Sequence, residues 1–236
     1  MEYARSLDKS LTKTEQLNRA VEYLAVQFGV EIYKLTGGIS TEADVSYSFD
    51  TAATVAAGLR IIDLYRDHGV PKEAVRIKIS ATWEGIQASR ILENEHGVST
   101  LVTIVFGLSQ AIAAAEAGAT CIAPYVGRIR DWYIASGDKS GRDMGIQRTK
   151  EMQNYLRKYG FKKTKIMGAS FRSTDQVIAL AGVDYLTISP AILRGLEKRQ
   201  EKIQPQLTEK TGKCNRHRES LGRDLTILQR RPLIFQ

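Results

Sequence analysis

Short runs of β-branched and apolar residues alternate along the chain with longer stretches whose apolar positions recur every three or four residues. The runs are 30–36 (VEIYKLT), 75–81 (VRIKISA), 101–107 (LVTIVFG), 120–124 (TCIAP), 165–169 (KIMGA) and 184–190 (DYLTISP), and each predicts a strand. Helical spacing covers 13–27 ahead of the first run, then 54–66, 84–95, 109–117, 146–159, 174–181 and 191–202. In 54–66, Val55, Leu59, Ile62 and Leu64 fall on or near one face; Asp50 predicts the N-cap and Gly69, after His68, the stop.

Strands separated by helices cannot pair as hairpins, so they are expected to lie parallel and to be covered by helices. An open doubly wound sheet and a closed barrel both satisfy this. A dinucleotide-binding open sheet carries a GxGxxG loop after an early strand, and no such loop follows any of the six runs. In VRIKISA, Arg76, Lys78 and Ser80 share one face while Val75, Ile77 and Ile79 share the other. If the apolar side packs on helices, the polar side lines a barrel interior or its mouth. The expected fold is therefore α/β, an incomplete (β/α)8-type (TIM) barrel of about six parallel strands with surrounding helices, over residues 1–202. Residues 203–236 show no clear period, mix Pro205, Gly212, Gly222 and Pro232 with charge, and predict a basic, weakly structured tail.

Composition sharpens this reading at three points. The 236 residues are 43% hydrophobic and 25% charged, which excludes disorder throughout. The net charge of +8 is unevenly placed: 11 of the 34 Lys and Arg but only 5 of the 26 Asp and Glu lie from Arg194 onward. The body is nearly neutral, and the basic cluster of the tail has no interleaved aromatics for base stacking, so no nucleic acid is expected as partner. No run of 18 uninterrupted apolar residues and no apolar leader after Met1 occur, which predicts a soluble, cytoplasmic protein without a membrane partner. Two cysteines and three histidines without paired ligand spacing predict neither a disulfide framework nor a metal site.

Lys78 is the most informative residue. An amine on a helix-covered parallel strand loses water; desolvation and the nearby Arg76 both favour the free amine, which attacks carbonyls to form Schiff bases. The alternative is a lysine paired with a carboxylate or snorkelling to the rim. Glu42, in GGISTEAD after the first run, suits water activation, or ordinary helix capping. Arg128 in PYVGR, with Ser170 and Arg172 in MGASFR, follow two strands and suit a phosphate monoester, or surface ion pairing. His68 and His96 precede glycines at helix ends, where an imidazolium meets the helix dipole, and Cys121 reads as a core thiol.

The segments GGISTEADVSYSFDT, IKISATWEGI, FGLSQAIAAAEAGATCIAPYVGRIRDWY, MGASFR and LTISP, in that order, resemble transaldolase over about residues 17–193. The resemblance implies a class I aldolase-type barrel of the pentose phosphate pathway. Such an enzyme moves a dihydroxyacetone unit from a ketose phosphate donor to an aldose phosphate acceptor with no metal or organic cofactor. It implies that Lys78 forms the Schiff base, that Glu42 acts with an ordered water which Thr103 helps to hold, and that Arg128, Ser170 and Arg172 bind substrate phosphate.

The departures from that pattern are specific. The family has two strands ahead of the segment matching 30–36, carrying an aspartate general acid and base, and the sequence begins after them. Leu101 stands where the family has an asparagine, and Ala123 where it has a serine. The family's homodimer takes contacts from a C-terminal helical region that the sequence beyond Lys202 does not resemble. Three expectations follow: a transaldolase; a degenerate, catalytically impaired sugar-phosphate-binding barrel; or a related aldolase with Tyr125 as proton carrier.

Overall fold

The computed structural model describes residues 10–200, 202–204 and 206–207. The tail expected at 203–236 therefore lies almost wholly outside the described residues. The chain divides into two compact units, one up to Leu101 and the other from Val102.

The first unit opens with helix α1 (Lys13–Thr36), followed by strand β1 (Ile39–Glu42), helix α2 (Thr51–Asp67), strand β2 (Val75–Ser80) and helix α3 (Trp83–Glu95). Strand β3 (Thr100–Val105) crosses the boundary. The second unit continues with α4 (Leu108–Glu116), β4 (Cys121–Pro124), α5 (Val126–Ala135), α6 (Met144–Lys158), β5 (Lys165–Gly168), α7 (Thr174–Ala179), β6 (Tyr185–Leu186) and α8 (Pro190–Glu197). Neighbouring strands follow in chain order, β1-β2-β3-β4-β5-β6, and the registered pairs β1/β2, β4/β5 and β5/β6 are parallel. A doubly wound sheet reverses its order at a switch point, whereas sequential parallel order with a helix after each strand is the pattern of a (β/α) barrel. Six such strands among the described residues make an incomplete barrel set. No described helix is long and apolar enough to cross a membrane.

The first expected strand is a correction. Residues 30–36 are not extended; they are the last two turns of α1, and the strand begins only at Ile39. A capping box at Thr12 and Glu15 starts this helix, and Gly37 ends it with φ of 70°. Val30 and Tyr33 continue the packed face begun by Glu22 and Val26, so VEIYKLT follows the helical period despite its β-branched residues. The last expected strand, 184–190, is extended only at Tyr185–Leu186, because Pro190 already opens α8, which ends at Glu197 rather than continuing to 202. Helix α5 is a further difference. Its apolar spacing is short and broken by Arg128 and Arg130, which hid it within the sequence pattern.

In the first unit the core joins Val26 and Val30 of α1, Ala57, Ile61 and Tyr65 of α2, and Val75, Ile77 and Ile79 of β2. The expected faces of β2 hold: Val75, Ile77 and Ile79 are buried, while Arg76 and Lys78 are half-buried. Tyr65 is fully buried, and its hydroxyl bonds to that of Thr41 on β1 at 2.6 Å. Burial pushes the phenol pKa up, against the opposing effect of the Thr41 bond. Gly29 lets α1 approach this point, because a Cβ there would overlap the Tyr65 hydroxyl. The second unit has its own cluster of Val126, Phe171, Val177 and Leu180.

Gly29→Ala is expected to lower stability by about 1–3 kcal/mol, the usual cost of overpacking. Removing the hydroxyl with Tyr65→Phe recovers part of that loss in the double variant, a positive coupling that urea unfolding of the four chains measures.

Candidate active site

Strand β1 lies on β2 in a register that places Glu42 beside Lys78. The Lys78 ammonium Nζ donates to Glu42 Oε2 at 3.0 Å. The backbone continues past the strand end, with Ala43 N donating to Lys78 O. Neighbouring hydroxyls pin both strands: Thr41 to Tyr65, and Ser80 to Ser48 at 2.9 Å. The Lys78 side chain keeps 27% of its surface exposed and Glu42 keeps 44%. An ion pair this open contributes at most about 1 kcal/mol. The expected inward amine is thus half-buried and charge-paired rather than sealed from water. An ammonium becomes a nucleophile only after it gives up a proton, and the Glu42 carboxylate is an acceptor within hydrogen-bond reach of it.

In the second unit the two glycine-relieved segments meet. Val126 N donates to Ala169 O at 2.9 Å and Gly127 N to Ser170 O at 3.0 Å. The first two N–H groups of α5 are therefore satisfied by backbone carbonyls. A Cβ at Gly127 would overlap the Ser170 carbonyl and come within 2.8 Å of Arg172 Cγ. Ser170 is left-handed, with φ of 62°. Arg172 donates from Nε and Nη2 to Asp131 Oδ2, at 3.0 and 2.8 Å, and from Nη1 to Ser170 Oγ at 3.2 Å. Its backbone N–H donates to Gln176 Oε1, whose amide nitrogen reaches Asp143. The guanidinium is thus fixed in place by Asp131 and Ser170, and the Ser170 hydroxyl keeps its own proton to donate.

Thr103 is fully buried on β3, and its hydroxyl donates to the Tyr125 hydroxyl at 3.3 Å. The next residue, Ile104, has φ of 59°. A β-branched residue in this region costs about 1–3 kcal/mol. Buried Gln110 offsets it: its Oε1 accepts from Phe106 N at 2.9 Å and Gly107 N at 3.2 Å, and its Nε2 donates to Ile104 O at 3.3 Å. Three such bonds at about 0.5–1.5 kcal/mol each are of the same size as the strain.

The expected residues therefore gather in groups. Lys78 joins Glu42, and Ser170 joins Arg172. Arg128 is exposed in the first turn of α5, one residue beyond the Gly127 contact. Leu101 and Ala123 are buried. The pattern reading missed Asp131 and Gln110. Asp131 follows Arg128 by three positions, a signal readable as a same-face pair, but its true partner comes from a distant segment. His68 and His96 stand at the C-caps of α2 and α3, as expected. Cys121 is a buried free thiol.

A model of the transaldolase/fructose-6-phosphate aldolase family matches residues 1–227. A probable transaldolase of Drosophila melanogaster is 46% identical over 218 residues, 90% of this chain and 65% of that protein. The transaldolases of Bos taurus and Homo sapiens are 45% and 44% identical over the same length, 90% of this chain and 64% of each relative. The chain thus spans slightly under two thirds of the length of these relatives.

Gly127→Ala is expected to push the Ser170 carbonyl aside at a cost of about 1–3 kcal/mol. Thermal unfolding of the variant checks this; a melting temperature equal to that of the parent chain would show that the two segments do not pack as described.

Proposed function

The chain belongs to the transaldolase/fructose-6-phosphate aldolase family, and on that premise we propose that it transfers a dihydroxyacetone unit between sugar phosphates through an imine on Lys78. The observation that carries this reading is the 3.0 Å contact between Lys78 Nζ and Glu42 Oε2. The Lys78 amine attacks the ketose carbonyl carbon, and a water departs to leave a protonated imine. Glu42 takes the amine proton and returns it, through a water, to the departing hydroxyl. The protonated imine is an electron sink: the bond between the neighbouring carbon and the one beyond it breaks as the hydroxyl on that further carbon gives its proton to water. This releases an aldose phosphate as its aldehyde and leaves an enamine on the lysine. The enamine carbon then attacks the acceptor aldehyde, and water hydrolyses the new imine.

Thr103 is assigned to hold the reacting water, and Arg128, Ser170 and Arg172 to bind the phosphate of donor and acceptor. The dianion is recognised by charge-assisted bonds from Arg172, braced on Asp131, and from the Ser170 hydroxyl. The proposed setting is the pentose phosphate pathway of the cytoplasm, with no cofactor.

The contact of Thr103 with Tyr125 favours a second reading of the same chemistry. In it the Tyr125 phenol carries the proton of the hydroxyl whose carbon–carbon bond breaks, and the enamine is protonated to an imine that water hydrolyses, freeing dihydroxyacetone and the lysine amine without an acceptor.

Borohydride reduction in the presence of a ketose phosphate is expected to attach the sugar irreversibly to Lys78, read by peptide mass. Lys78→Met abolishes the adduct, while Glu42→Gln slows its formation by roughly a hundred- to ten-thousandfold. An unlabelled chain that still binds the sugar phosphate would instead mark a binding protein. Arg172→Ala is expected to raise KM for the phosphorylated donor by roughly ten- to a hundredfold and to leave the unphosphorylated ketose unaffected. Release of dihydroxyacetone from the donor alone, lost in Tyr125→Phe, distinguishes the second reading from the first.

A further inference from the structure

Where β3 leaves the sheet, one side chain holds three backbone groups at once. Gln110 receives the N–H groups of Phe106 and Gly107 and donates to the carbonyl of Ile104. We propose that Gln110 is a positioning residue, whose amide keeps Ile104 left-handed and so keeps the Thr103 hydroxyl against that of Tyr125. Its kinetic consequence rests on the imine reading above; its structural consequence does not.

The geometry gives a direct route. Ile104 lies between Thr103 and Val105, and the Val105 carbonyl accepts the backbone N–H of Tyr125 at 3.0 Å. Relaxation of Ile104 from φ of 59° to an ordinary strand value near −120° would rotate that carbonyl by about half a turn and remove the anchor of Tyr125. The Phe106 ring, which meets Tyr125 edge-on with centroids 6.0 Å apart, would move with it. Gln110 also caps α4 through Gly107, so a purely structural role is the competing account. The two accounts part at Ile104. A cap for α4 is indifferent to the residue at 104, whereas a clamp against strain becomes dispensable once the strain is gone. Glycine takes a positive φ without a Cβ penalty and removes it.

The test uses the full chain with Gln110→Met, alone and combined with Ile104→Gly. Crystal structures of the parent and Gln110→Met chains are expected to show Ile104 returning to negative φ and the two hydroxyls moving beyond hydrogen-bond reach. In turnover, Gln110→Met is expected to lower kcat roughly ten- to a hundredfold with KM changed less than about twofold, and Ile104→Gly to restore most of the loss. Unchanged φ and hydroxyl separation in Gln110→Met would overturn the proposal, as would a loss of kcat that Ile104→Gly does not recover. If Gln110→Met does not fold, Gln110→Glu replaces it, keeping the acceptor for the two amides and losing the donor to Ile104; the same structural and rescue outcomes decide. If borohydride fails to label Lys78 in the parent chain, the imine reading falls, and the two crystal structures alone decide the role of Gln110.

Discussion

The parallel pairing of β1 with β2 is the constraint from which the Lys78–Glu42 contact of the first unit follows. Only one register brings Glu42 beside Lys78, and a shift of one residue would send each side chain to the opposite face. The register is held from both sides: Thr41 is tied to the buried Tyr65 phenol, and Ser80 to Ser48. Tyr65 is reached in turn by α1 through Gly29. A long helix, a buried phenol and two short strands thus converge on the distance between one amine and one carboxylate. Because that pair is partly open to water, it adds little to stability, and the surrounding packing sets its geometry instead.

The second unit solves a different problem, that of aiming polar groups from strand ends without help from the sheet ladder. It does so twice with a left-handed residue backed by a side chain. Ser170 turns at φ of 62°, and its carbonyl and hydroxyl both receive Arg172 Nη1. Ile104 turns at φ of 59°, and its carbonyl receives Gln110. In each case a residue of low intrinsic preference is held by hydrogen bonds that a regular strand would have spent on its neighbour. Asp131 completes the first arrangement by holding two donors of the Arg172 fork, which fixes the plane of the guanidinium. Strain of this kind has no structural benefit of its own. It accompanies the placement of hydroxyl and guanidinium groups where the strands end, the position at which a (β/α) barrel performs its chemistry.

Much of this organisation was legible in the amino-acid sequence, because its physical origin is local. Alternating short apolar runs and helical periods determine a parallel α/β arrangement, since strands separated by helices have no other way to pair. The two faces of VRIKISA determine that Lys78 and Ile77 point oppositely, since side chains on a strand alternate. The ordered motifs determine the family. What only the tertiary structure decided has a common cause: it depends on partners distant along the chain. Residues 30–36 carry strand-like composition, but Val30 and Tyr33 find the core of the first unit one helical turn apart, and that burial outweighs β propensity. Asp131 finds Arg172 across 41 positions, and the left-handed turn of Ile104 exists because Gln110 folds back to hold it. Periodicity records how a segment presents its own side chains, whereas register, bracing and strain arise from what another segment presents to it.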